Sequence, residues 1–230
     1  MISLCDELPV LEVNSAELVK INCLYDAYKN DGKVMFWTQD GDKAVISMTD
    51  GNMIIHNNGA DIEELGEFVN ALAPACVFSD YETLGKINRT PKEPIYIMCR
   101  NADLVGETSG DSLSSKEIYS LLDVDGLSLP EYPFFAVDYC HRLNNGGADY
   151  FALRNKCAVI TFKSGKNAII NGIASHEKGC GSVALRAIIQ KNFGRRIFVC
   201  CREKVKGFYE KEGFKPLYLS GYWVREDEYN

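Results

Sequence analysis

The segment that most restricts how this chain can fold is His176-Glu177-Lys178-Gly179-Cys180-Gly181, because it separates a strand-like region from a helix-like one. Ahead of it, Tyr150 to Arg154, Cys157 to Lys163 and Asn167 to Ala174 are short runs rich in β-branched and apolar residues. The turn residues Asn155-Lys156 and Ser164-Gly165-Lys166 divide them. Behind it, from Ser182 to Phe193, Val183, Ala184, Ala187, Ile188 and Phe193 recur at helical spacing before Gly194. Arg196 to Cys201 then reads as a buried strand, Glu203 to Glu212 as a short helix stopped by Gly213, and Lys215 to Val224 as a final strand. The order is three strands, a glycine loop, helix, strand, helix, strand. Glycines at a strand-to-helix junction let backbone N–H groups converge on an anion, and the helix N-terminus adds a positive partial charge. Lys178 can add a charge-assisted contact, and Ser182 can cap the helix or donate to a phosphate.

A fainter copy of the same order precedes it. Lys33 to Thr38, Lys43 to Met48 and Asn52 to His56 are strand-like with turns at Asp40-Gly41 and Asp50-Gly51. Asp61 to Leu72 is helical, Ala75 to Ser79 a strand, Tyr81 to Ile87 a short helix and Pro94 to Arg100 a strand. This predicts a divergent internal repeat: a first domain over residues 1–100, a Gly-, Ser-, Thr- and Asp-rich linker over 101–116, and a second domain over 117–230, opened by helices at Glu117 to Leu122 and Pro133 to Asn144. In the first copy the loop position reads Asn57-Asn58-Gly59-Ala60-Asp61, followed by Glu63, Glu64 and Glu67. Carboxylates at a helix start suit the helix dipole and repel a diphosphate, so this copy is not expected to bind one.

Charge is divided unevenly along the chain. Residues 1–150 hold 10 basic and 25 acidic side chains, a net −15, whereas residues 151–230 hold 15 and 7, a net +8, for −7 in all. A net-acidic chain is not expected to bind nucleic acid through phosphate neutralisation, and no apolar run approaches the roughly 20 residues of a spanning helix, so no membrane association is expected. The 230 residues and 46% hydrophobic content are enough for a sizeable core. Nine cysteines, none in C-x-x-C spacing, and three scattered histidines argue for a reducing, cytoplasmic setting and against a metal centre.

A second motif joins the glycine loop. Gly207-Phe208-Tyr209-Glu210-Lys211-Glu212-Gly213-Phe214 lies about thirty residues on, and with His176-Glu177-Lys178-Gly179-Cys180-Gly181 it resembles the paired motifs of the GNAT superfamily of N-acetyltransferases over roughly Tyr150 to Val224. The resemblance implies an α/β (α+β) fold, a mixed central sheet flanked by helices, with the first half a degenerate copy. It implies acetyl-CoA as co-substrate, its diphosphate held at His176, Lys178, Gly179, Cys180, Gly181 and Ser182. His176 stands where the family usually has Arg or Gln, Arg202 where many members carry Asn, and Phe208 opens the second motif. An unpaired backbone N–H at Ile173 or Ala174 would hold the oxyanion, and Tyr209 would protonate the CoA sulfur. Lys204, Lys206, Arg195 and Arg196 are candidates for the adenosine 3′-phosphate. No residue stands out as general base, with Glu177, Glu203, Asp149, Tyr218 and Tyr222 all able to reach a pocket. The implied acceptor is a small-molecule or peptide amine. The alternative is a non-catalytic acyl-CoA-binding or protein-interaction module of the same fold; the oligomeric state stays open.

Overall fold

The computed structural model describes residues 1–103 and 109–226. Among them are eleven strands and seven helices. In chain order these are β1 (Ile2–Leu4), α1 (Ala16–Tyr28), β2 (Met35–Gln39), β3 (Ala44–Thr49), β4 (Asn52–Asn57), α2 (Ile62–Leu72), β5 (Cys76–Asp80), α3 (Tyr81–Lys86) and β6 (Ile95–Asn101). Next come α4 (Ser115–Leu122), α5 (Tyr132–Asn144), β7 (Ala148–Leu153), β8 (Cys157–Ser164), β9 (Asn167–Ser175), α6 (Cys180–Lys191), β10 (Arg196–Cys201), α7 (Glu203–Lys211) and β11 (Lys215–Val224). The string β2-β3-β4-α2-β5-α3-β6 repeats as β7-β8-β9-α6-β10-α7-β11. No helix among the described residues is long and apolar enough to cross a membrane.

The chain divides into two compact units. The first holds Met1–Ile97, Cys200–Lys204 and the residues from Pro216 onward; the second holds Met98–Val199 and Val205–Lys215. All of β11 but its first residue, Lys215, lies in the first unit. It pairs antiparallel with β5 from Ser220↔Asp80 to Val224↔Cys76, and Tyr222 stacks on Phe78 with ring centroids 4.5 Å apart. Of the segment read as a linker, Asn101 ends β6, Leu113 is buried and Ser115 opens α4. Residues 104–108 of that segment, and 227–230 of the second sequence domain, lie outside the described residues.

In the first unit, β2, β3 and β4 form an antiparallel meander. Its second turn has Asp50 at φ 47° and Gly51 at φ 74°, the left-handed pair that a two-residue hairpin turn requires and that Asp-Gly supplies at least cost. Successive residues of β2 face opposite sides: Phe36 packs with Leu18, Ile21 and Val45 beneath α1, and Trp37 with Ile46, Leu65 and Val69 beneath α2. β4 then pairs with β5 in parallel, but only from Asn52↔Cys76 to Ile54↔Phe78. In the second unit, β7, β8 and β9 repeat the meander, and β9 pairs with β10 in parallel from Asn167↔Arg196 to Ile170↔Val199. Ile118, Leu122, Phe135 and Tyr139 of α4 and α5 cover one face, packing on Ala152, Ala158, Ile160 and Ala174.

The seat of β11 is tight. A Cβ added at Gly221 would lie 2.4 Å from Cγ of the buried Pro91 and 2.6 Å from its Cβ. Gly221→Ala should therefore destabilise the protein by about 1–3 kcal/mol, the usual cost of overpacking. Thermal unfolding would show a lowered Tm; an unchanged Tm would mean that β11 is not seated against Pro91.

Candidate functional site

The site begins where β9 leaves its ladder. The register of β8 and β9 shifts between Ile160 and Thr161, whose partners are Gly172 and Ile170, so Asn171 is an extra, exposed residue in a bulge. Pairing with β10 stops at Ile170 while β9 continues to Ser175. The N–H of His176 donates to the Lys156 carbonyl at 2.7 Å. Antiparallel alternation then turns the N–H groups of Ala174 and Gly172 toward β8, and those of Ile173 and Ser175 toward the opposite edge, past the end of the parallel register. Of Ile173 and Ala174, it is Ile173 that turns its N–H to this edge.

Beyond Ser175 the glycine loop bounds a solvent-open cleft of about 370 Å³, walled by residues 175–179, Gly181, Ser182 and Phe208. Gly179 adopts φ 88° as the N-cap of α6, and no side chain caps that helix. The Cys180 N–H turns back to the Glu177 carbonyl at 3.2 Å, and the first turn of α6 carries no acidic residue. An anion would therefore meet backbone N–H groups and the positive end of a twelve-residue helix. Lys178 is exposed at the loop, and Glu177 is ion-paired to Lys156 at 3.1 Å.

Several residues named from the sequence are committed elsewhere. The His176 ring donates through Nε2 to the Leu121 carbonyl at 2.9 Å, so that nitrogen is already engaged and only Nδ1 is left for a ligand. The Ser182 hydroxyl bonds Glu212, which also accepts from Arg186 at 2.8 and 3.3 Å. Burial raises the Glu212 carboxyl, but these partners outweigh it and hold it below its ordinary value. Arg100 donates to the Glu212 carbonyl as well, anchoring the end of α7. Cys180 is half-buried with its thiol against Cys157. Phe208 lies on the cleft wall beside Gly181, whereas Tyr209 is only 4% exposed, edge-on to Phe208 and Phe214 with centroids 5.1 and 5.6 Å away.

Other named residues do not line this cleft. Arg202 belongs to the first unit and pairs with Glu93 at 2.6 Å. Arg196, opposite Asn167, and Arg195, donating to the Gly165 carbonyl, mark the far end of β9. Lys206 faces Glu210 at 3.9 Å.

The matching loop of the first unit is filled by its own chain. Asn57 Oδ1 accepts the N–H groups of Gly59 and Ala60 at 3.0 and 2.8 Å, Gln39 accepts that of Asp61 at 2.7 Å, and the Asp61 carboxylate caps α2 by accepting from Glu63 and Glu64. The donors that an anion would need are taken. Beside this loop the first unit brings together another group of ionisable side chains, Glu17, His56 and Asp80, which the sequence did not single out. Glu17 sits in an ordinary first helical turn, and only the fold brings the three together.

No protein-family model matches the chain, and no curated protein matches it. Solved structures do. A proposed acetyltransferase from Pyrococcus horikoshii matches with a TM-score of 0.57 at 8% identity, covering 92% of this chain and 79% of that one. A proposed GNAT-family acetyltransferase from Novosphingobium aromaticivorans matches with a TM-score of 0.52 at 8% identity, covering 92% and 100%. A tandem GNAT protein of the clavulanic acid biosynthesis pathway matches at 0.50 and 9% identity, covering 96% and 90%. The chain has the GNAT fold, a mixed sheet flanked by helices.

The two loop glycines should respond differently to substitution. Gly179→Ala places a Cβ on a left-handed residue and should cost about 1 kcal/mol. At Gly181 a Cβ would rest 3.5 Å from Ser175 Cβ, an ordinary contact, and Ala favours a helix, so Gly181→Ala should equal or exceed the wild type in stability. Urea denaturation of both variants checks the difference, and equal losses would contradict the loop geometry.

Proposed function

We propose, from the fold this chain shares with GNAT acetyltransferases, that it is an acetyl-CoA-dependent N-acetyltransferase with its working site in the second unit. One observation carries the reading: α6 begins without a side-chain cap behind a left-handed Gly179, whereas the matching helix α2 is capped by Asp61 and its loop by Asn57. The second unit's loop is thus the one free to hold a diphosphate, through backbone N–H groups with Lys178 beside them. The first unit would be a degenerate copy, a reading that the repeated element order and the likeness to a tandem GNAT structure support.

In the reaction, the amine lone pair attacks the thioester carbonyl and its oxygen becomes an oxyanion for the Ile173 N–H to hold. The carbon–sulfur bond then breaks as the carbonyl re-forms, the sulfur takes a proton from Tyr209, and the amine's extra proton passes through water, which restores the phenol. The acceptor is an amine, small or peptidic; the net −15 of residues 1–150 favours a cationic one. Nine free thiols fit a reducing, cytoplasmic setting. The engaged Nε2 of His176 and the burial of Tyr209 favour a second reading, an acyl-CoA-binding module without turnover.

Thiol release from acetyl-CoA across an amine panel, alongside calorimetry with CoA, separates the two. Turnover with at least one amine is expected; binding without turnover would leave the module, and absence of both would sink the acyl-CoA reading. Tyr209→Phe keeps the aromatic packing and should lower kcat by about 10²-fold while CoA binding persists. An unchanged kcat would make Tyr209 a packing residue.

A further inference from the structure

The glycine loop brings together two thiols from different elements, Cys157 at the start of β8 and Cys180 at the start of α6. We propose that they form a peroxide-sensitive dithiol, joined on oxidation by a reversible disulfide that ties the start of α6 to the sheet. The inference does not rest on acetyl transfer.

The backbone sets up the encounter. Cys157 pairs with Ser175, and just beyond them the His176 N–H donates to the Lys156 carbonyl at 2.7 Å. Cys157 and Ser175 are therefore a non-hydrogen-bonded pair, the kind whose side chains stand closest together on one face. That face lies under α6. Ala158, Ile160 and Ala174 pack with α4 and α5, so Cys157, Val159 and Thr161 point the other way, where Asn192, just past the end of α6, meets Thr161 Oγ1 through Nδ2 at 3.4 Å. The loop then folds back over the strand. Ser175 Oγ donates to the Glu177 carbonyl at 2.7 Å, the Cys180 N–H donates to the same carbonyl at 3.2 Å, and a Cβ added at Gly181 would lie 3.5 Å from Ser175 Cβ. The turn thus lays Cys180 over the Cys157–Ser175 pair, thiol against thiol.

The two thiols are unlike. Cys157 is fully buried, and burial, with Cys180 beside it, holds its thiol above the ordinary value. Cys180 is half-buried next to the exposed residues 175–179, at the positive end of α6, and the Lys156 ammonium, paired with Glu177, acts on it as well. Helix N-termini and cations favour the thiolate, the form that reacts with peroxide. Cys180 is the thiol that reacts first, and Cys157 resolves it. The Cys180 thiolate attacks one peroxide oxygen, the oxygen–oxygen bond breaks, and the departing hydroxide takes up a proton, leaving water and a sulfenic acid. The Cys157 sulfur then attacks the Cys180 sulfur; the sulfur–sulfur bond forms, the sulfur–oxygen bond breaks, and the Cys157 proton leaves with the hydroxide as a second water. Two thiols lose two electrons, and one peroxide is reduced to two waters. Such a bond suits a reducing setting, where lasting disulfides are rare and transient ones serve as sensors.

Trypsin cleavage after Lys156, Lys163, Lys178 and Arg186 puts the two cysteines on separate peptides, 157–163 and 179–186. The reduced full chain, exposed to hydrogen peroxide, blocked with N-ethylmaleimide and digested without reductant, should yield these peptides joined, about 2 Da lighter than their sum, and dithiothreitol should part them. Burial holds Cys5, Cys76 and Cys200 above the ordinary thiol value, Cys200 at about 11, so these should oxidise at least about tenfold more slowly than Cys180. Cys157→Ala should leave a sulfenic acid on Cys180 for dimedone to capture, and Cys180→Ala should leave Cys157 a free thiol. The proposal is overturned if the joined peptides do not appear at millimolar peroxide, if Cys180 joins another cysteine instead, or if the Cys157→Ala protein gives no dimedone adduct at Cys180. The peptide map of the unaltered chain decides the matter even where a variant fails to fold.

Discussion

Parallel strands that part before their ends leave backbone N–H groups without a ladder partner, and each unit of this protein is built around such a parting. In the first unit β4 and β5 stay in register only to Ile54 and Phe78, and in the second β9 and β10 only to Ile170 and Val199. The two gaps are finished differently. In the first unit side chains lace the gap: Ser79 Oγ donates to the Ile55 carbonyl at 2.9 Å and Asn57 Nδ2 to Thr83 Oγ1 at 2.7 Å. In the second, a bulge at Asn171 re-aims the strand, Ile173 turns its N–H to the open edge, and an uncapped helix succeeds it.

The same divergence divides the chemistry. An uncapped helix start with no carboxylate in its first turn suits an anion, whereas the first unit's cleft is lined by the carboxylates Glu17 and Asp80. Ser182 shows how finely the division is drawn: its hydroxyl is spent on anchoring α7 through Glu212, so what it can offer an anion is its backbone.

Much of the architecture was legible because local signals carried it. Asp-Gly turns, strand-like runs and the glycine loop marked the two matching strings of elements to within a residue or two, and the paired motifs pointed to the fold. Three things were not. α1 was missed because its first turns bury Ala16, Glu17, Leu18 and Val19 in succession, which blurs the 3.6-residue stripe that betrays a half-exposed helix. The placement of β11 was missed because a strand's partner is a tertiary choice that its own residues do not encode. The engagement of His176 by the Leu121 carbonyl, and of Arg202 by Glu93, depends on partners 55 and 109 residues away, beyond any local pattern.

The position of β11 also bears on how the protein is made. Residues of the first unit leave the ribosome first, yet that unit's sheet is completed by a strand synthesised more than a hundred residues later. Until then β5 lacks this partner strand, and Glu17 lacks the two hydroxyls of Tyr218 and Ser220 that satisfy it in the finished fold. The first unit cannot reach its final state until β11 has left the ribosome, contrary to the usual N-terminal-first order of multidomain folding.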